Sequence, residues 1–224
     1  MATAAPRSPR TPRTTRTQSE RRQGTMGLLI EATIGCLNDL GYAHTSTQAI
    51  ALRAGLSQGA IFRHFPTRQD LMVATAEALA VRFLQAYRER LAQAQVATEH
   101  RIDAAMRALA DVTSTPDQVA WFELQMASRT DLALSEAFRP IFLRCQDDCI
   151  ALGQSLLPDL LGTLPFAGEA IQLLIHVFHG IQLDAHIEQN PQKAAQMLAF
   201  TTAIAKVALS TASQVMPAAT PRAR

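Results

Sequence analysis

At 224 residues and 48% hydrophobic content, the chain can build a sizeable core in one large domain or two small ones. No run of 18 apolar residues is present, so no membrane span is expected, and Cys36, Cys145 and Cys149 form the sparse, odd set typical of reduced cytoplasmic thiols. Net charge is only +2, yet residues 1–70 hold nine arginines against four acids, so the first third suits a polyanion while the rest is net acidic.

Residues 1–18, MATAAPRSPRTPRTTRTQ, have almost no large apolar side chain and read as a disordered basic arm. Pro6, Pro9 and Pro12 break the amphipathic helix that an organelle transit peptide needs, and no apolar secretion signal follows. A cytoplasmic protein is therefore expected. Arg7, Arg10, Arg13 and Arg16 recur every third residue and would share one face of a polyproline II helix. Such a face fits an arm that touches phosphates or slips into a minor groove, but charge runs are usually solvated tails, and that is the favoured reading.

From Glu20 to Leu40 the spacing predicts a helix with one buried stripe: Met26, Leu29, Ile30, Thr33, Ile34, Leu37 and Leu40, stopped by Gly41. A short helix follows in TSTQAIALRAG. Thr45 and Gln48 have capping-box spacing, Ser46 is an equally good N-cap, and Gly55 ends the helix in a left-handed conformation. Ser57 caps a third helix within LSQGAIFRHF, with Ile61 and Phe65 four apart on its inner face. Joined by Ala-Gly-Leu-Ser, with Leu56 in the angle, these two make a helix-turn-helix. Thr67 then caps a long helix from Arg68 to about Ala92, with Asp70 in its first turn.

Further helices are expected at roughly 99–114, 117–129, 132–157, 167–188 and 191–212, with Pro140 kinking or restarting the third of them. PDLLGTLP reads as a loop, and no segment shows strand alternation. The predicted fold is all-α, with about nine helices. A three-helix helix-turn-helix DNA-binding domain occupies 19–72, a helical ligand-binding and dimerisation domain 73–212, and a disordered tail 213–224.

The second helix of a helix-turn-helix lies in the major groove with its N-terminal residues at the base edges. Gly59 and Ala60 let the backbone come close there, and the Gln58 amide suits adenine. Arg63 and His64, a turn later, meet phosphates or, for Arg63, a guanine. Ser46, Thr47 and Gln48 open the preceding helix, where backbone N–H groups suit a phosphate. A plain two-helix corner is the competing reading, and the basic bias of this third favours DNA.

Residues 26–72 resemble the DNA-binding domain of the TetR family of transcriptional regulators. The resemblance rests on Gly41, Thr45 with Ser46, Ile50 with Ala51, Ala54 to Ser57, Gly59, Phe62, Phe65, Thr67 with Arg68, and Leu71, at fixed spacing in GYAHTSTQAIALRAGLSQGAIFRHFPTRQDL. It implies double-stranded DNA as partner. Ser46, Thr47 and Gln48 would lie at the groove edge, Ser57, Gln58, Gly59, Ala60, Phe62 and His64 on the operator, and Arg68 against a phosphate where relatives usually have Lys. Phe62 departs from the Tyr common in the family, whose hydroxyl reaches a phosphate.

The resemblance also implies a homodimer through the last two helices and a small-molecule effector held within 75–212. Both last helices are apolar over much of their circumference, as suits helices set between a core and a partner. The large apolar side chains available to line an effector site are Trp121, Phe122, Met126, Phe138, Phe142 and Phe178. His176, His179, Asp184 and His186 do not assemble four ligands on one face, so no metal is expected. Cys145 and Cys149, four apart on a helix, are marginal for a disulfide and read as buried thiols. No catalytic constellation and no cofactor motif stands out. The expectation is a ligand-responsive, dimeric DNA-binding regulator, with an all-α carrier or enzyme as the alternative.

Overall fold

The computed structural model describes residues 17–94, 100–162 and 164–215. The arginines of the arm and the chain beyond 215 lie outside them. Ala and Leu richness and well-placed caps make every element among the described residues a helix. Helix α1 spans Gln18–His44, opened by a capping box in which Thr17 and Glu20 satisfy each other's backbone N–H. The stop expected at Gly41 takes the form of a break at φ 73 and ψ 168, after which helical turns resume to His44. Leu29, Thr33, Ile34 and Leu37 are buried as their spacing predicts. Leu40 is instead 45% exposed, because the backbone turns away one residue later.

Helix α2 spans Thr47–Ala54 and α3 spans Gln58–His64. Of the two candidate caps for α2, Ser46 is used, accepting from the Ala49 N–H at 3.1 Å. Thr45 is buried and donates its hydroxyl to the Gly41 carbonyl at 2.7 Å. Gly55 closes α2 at φ 67 and ψ 29, and Ser57 caps α3 by accepting from Ala60 N–H. Helix α4, Arg68–Gln93, begins with a Thr67–Asp70 capping box.

The body comprises α5 Arg101–Thr113, α6 Pro116–Ala127, α7 Leu132–Leu156, α8 Pro158–Leu161, α9 Ala167–Glu188 and α10 Pro191–Val215. Of the kink or restart expected at Pro140 the restart is absent, and the loop expected at PDLLGTLP is not wholly irregular. Helix α7 runs through Pro140 without restarting: Phe138 and Ile141, both 3% exposed, anchor the helix on either side, and the lost hydrogen bond falls on its exposed flank. The PDLLGTLP loop contains α8, whose first turn accepts proline because that N–H needs no partner. Helix α10 also continues three residues beyond 212.

Helix α1 packs on α2, α4 and α6, α4 on α5 and α7, and α9 on α5, α7 and α10. One apolar cluster runs unbroken from Leu29, Ile50, Ile61 and Leu71 into Trp121, Leu124 and Leu134. The first three helices therefore share a core with α6 and α7. Among the described residues no helix is long and apolar enough to cross a membrane.

Candidate nucleic-acid interface

Helix α3 has seven residues, too few to hold itself together in water. Its back anchors it: Ile61 is 0% and Phe65 4% exposed. Its front is turned outward. Ser57, Gln58, Gly59 and Arg63 are exposed, Phe62 is 48% exposed, and Ala60 is half-buried. A Cβ placed on Gly59 would meet only the Ser57 hydroxyl at 3.9 Å, so no contact among the described residues requires a glycine there. His64 is half-buried, and its Nδ1 has no partner among the described residues. Ser46 and Gln48 are exposed at the start of α2, beside half-buried Thr47.

Arg68, which the resemblance sets against a phosphate, is bonded within the chain through two of its nitrogens. Its Nε donates to the Thr45 carbonyl at 2.7 Å and its Nη2 to the Tyr42 carbonyl at 2.6 Å. Its guanidinium also lies 4.1 Å from the centre of the Tyr42 ring. Arg68 thus closes the C-terminal end of α1, where carbonyls lack helical partners and favour a cation. Arg53 is engaged with Asp39 at 2.7 Å.

Tyr42 is a junction between α1 and the body. Its N–H donates to Glu123 Oε2 of α6, and its hydroxyl donates to Asp131 Oδ2 before α7, both at 2.8 Å. Burial, then the bond to Asp131, pushes the Tyr42 hydroxyl above its ordinary pKa. The Leu134 N–H, then Tyr42, holds the Asp131 carboxyl below its usual range.

Helix α6 also faces a cavity of about 580 Å³ lined by α4, α5, α6, α7, α8, α9 and α10. Of the residues the sequence offered as a lining, Trp121 and Phe142 are there. Phe138 packs behind Trp121, with ring centres 4.9 Å apart, and Phe178 is 1% exposed in the core. Phe122 stands edge-on to His179 at 5.0 Å, and Met126 is 56% exposed; none of these four lines the cavity. The physical reason is rotation around the helix: Met126 lies about 140° from Trp121. Gln118, Gln125 and Tyr87 line the cavity and were not singled out, and His179, weighed above only as a metal ligand, lines it too. Two glutamines seven apart on the face of Trp121 were the available signal. Cys145 and Cys149 also line it as free thiols, with Cys145 pushed up by its hydrogen bond with Cys149 and by burial.

Residues 29–75 match the family model described as bacterial regulatory proteins, tetR family. The chain is 32% identical over 192 residues to an uncharacterised HTH-type transcriptional regulator of Mycobacterium bovis, covering 84% of this chain and 95% of that one. It is 41% identical over 76 residues to the HTH-type transcriptional regulator CymR of Pseudomonas putida, over 34% of this chain and 37% of that one. Among solved structures, E. coli NemR in its reduced form superposes with a TM-score of 0.65 at 19% identity, covering 79% of this chain and 95% of that one. A TetR transcription regulator from Haloarcula marismortui gives 0.63 at 18% identity, covering 83% and 98%.

Proposed function

The chain belongs to the tetR family of bacterial regulatory proteins, and we propose on that premise that it is a dimeric repressor whose operator binding is relieved by a small molecule. The observation that carries the DNA-reading role is α3: an apolar back fixed in the core, and a front of small and polar residues that no contact within the chain requires. In this reading Gln58, Gly59 and Ala60 meet base edges, Phe62 faces the DNA backbone, and Arg63 and His64 meet phosphates or a base. Ser46, Thr47, Gln48 and Ser57 border the groove, where helix N-termini attract phosphate. Arg68 acts mainly by holding the end of α1 in place. The reading unit is 19–72 and the effector and dimer unit 73–212.

Dimerisation through α9 and α10 is supported by their exposed apolar residues: Ile187 at 80%, Val207 at 65%, Leu173 and Phe200 at 64%. A patch of this kind calls for a partner, and a twofold pair presents two copies of α3 to half-sites about 34–36 Å apart. Leu173 and Phe200 also line the cavity, so a partner laid on this face would cover its open side.

Effector response is supported by α6, which carries cavity residues Gln118, Trp121 and Gln125 on one flank and Glu123, bonded to Tyr42 of α1, on another. A ligand that moves α6 moves the end of α1. Such a ligand weakens operator binding by the same factor that operator weakens ligand binding. The test is fluorescence anisotropy against the DNA upstream of the chain's own coding sequence at two salt concentrations, with light scattering for mass. The reading expects a dimer whose specific binding falls steeply as salt rises. A monomer, or binding indifferent to sequence, would contradict it.

A further inference from the structure

The cavity has two features that packing alone does not require. Among the described residues, no Asp, Glu, Lys or Arg side chain lines it. Two of its titratable groups are also held neutral: burial, then His176, pulls the His179 pKa down to about 4, and burial pushes the Tyr87 hydroxyl up to about 12. The second feature is a pair of incompletely bonded amides on α6. Gln118 is 3% exposed, yet its Nε2 donates to no described group, and the buried Oε1 of Gln125 accepts from none. Folded proteins pair almost all such atoms, because leaving one alone is costly. Both glutamines line the cavity and, seven residues apart, stand on one face of α6 with roughly 10 Å between their backbones. Trp121 lines the cavity between them.

We infer that the effector is an uncharged, elongated, mostly apolar molecule that offers a hydrogen-bond acceptor to Gln118 Nε2 and, on the order of 10 Å away, a donor to Gln125 Oε1, each amide turning out of the wall that now covers these two atoms to meet it. Ions are disfavoured, since they would give up their hydration to walls that supply no carboxylate, ammonium or guanidinium partner among the described residues. An aromatic middle suits the flat indole of Trp121. The inference rests on the cavity being the effector site of the preceding section.

Isothermal titration calorimetry with four probes built on one biphenyl scaffold tests it. Methyl 4'-hydroxybiphenyl-4-carboxylate carries both groups, methyl biphenyl-4-carboxylate lacks the donor, 4-hydroxybiphenyl lacks the acceptor, and 4'-hydroxybiphenyl-4-carboxylate is an anion. The hydroxy-ester is expected to bind about tenfold tighter than either truncated probe, and about a hundredfold tighter than the anion. Gln125→Leu should erase the advantage of the hydroxyl and Gln118→Leu that of the ester. Each variant should keep its affinity for the probe lacking the group it can no longer meet, which also shows that it is folded. Equal affinity of the four probes for the wild type overturns the inference while leaving the cavity an effector site, as do glutamine variants that keep both preferences. Failure of all four probes to bind removes the effector site as well.

Discussion

Replacing Arg68 with alanine separates two roles that the same cation could play. The guanidinium bonds the carbonyls of Tyr42 and Thr45 at 2.6 and 2.7 Å and lies over the Tyr42 ring. Each bond from a charged donor at this half-buried site contributes about 1 kcal/mol after discounting for solvent, and the ring contact about 0.5. The expected loss is therefore roughly 2–3 kcal/mol, which for a chain of this size lowers Tm by about 5–10 °C. Calorimetric melting reads this directly. The slope of log Kd against log salt for operator DNA, measured on the same variant, reads the alternative. Loss of one phosphate contact per reading head would lower that slope by about one per head. The reasoning predicts a lower Tm with the salt slope nearly kept. An unchanged Tm with a reduced slope would show that Arg68 serves DNA and not the end of α1.

Phe62→Tyr should tighten operator binding about tenfold per reading head, and about equally for different sequences, because the added hydroxyl on a half-exposed ring gains a phosphate bond. Unchanged affinity in a gel shift would count against this placement. Gly55→Ala puts a Cβ at φ +67 without any clash, so it should cost about 1 kcal/mol of backbone strain alone, and Gly55→Asn should recover most of it in chemical denaturation. Acid should weaken the fold through His179. Its folded pKa is lowered to about 4 from an ordinary 6.5, so the unfolded chain takes up the proton first. That contribution is complete above about 6.5 and is lost as pH falls toward about 4. The drop is on the order of 3 kcal/mol, and His179→Gln should remove most of it from the pH profile of Tm.

The helix-turn-helix was legible because its boundaries are written in short-range chemistry. Ser57, Thr67 and Gly55 act within a turn of themselves, and each does what its residue type predicts. The Thr17–Glu20 box at the start of α1 was equally legible as T-x-x-E and was passed over. What the sequence did not disclose is decided at long range. Arg68 looks like a phosphate ligand by position, but the bend at Gly41 brings the carbonyls of Tyr42 and Thr45 within its reach. The cavity was sought among the bulkiest aromatics, and bulk carries Phe138 and Phe178 into the core instead. The lining falls to whichever faces of seven helices converge, and that angle is set by packing between helices, not by any one segment.

Gly59→Leu tests the outward flank of α3 most directly. Leucine is the better helix former, and its Cβ has room, so the variant should melt at or slightly above the wild-type temperature. If the backbone at this position lies against a duplex, the same side chain blocks the approach, and operator affinity measured by anisotropy should fall at least about a hundredfold, or roughly 3 kcal/mol. A folded Gly59→Leu protein that binds the operator as tightly as the wild type would mean that α3 does not enter the groove.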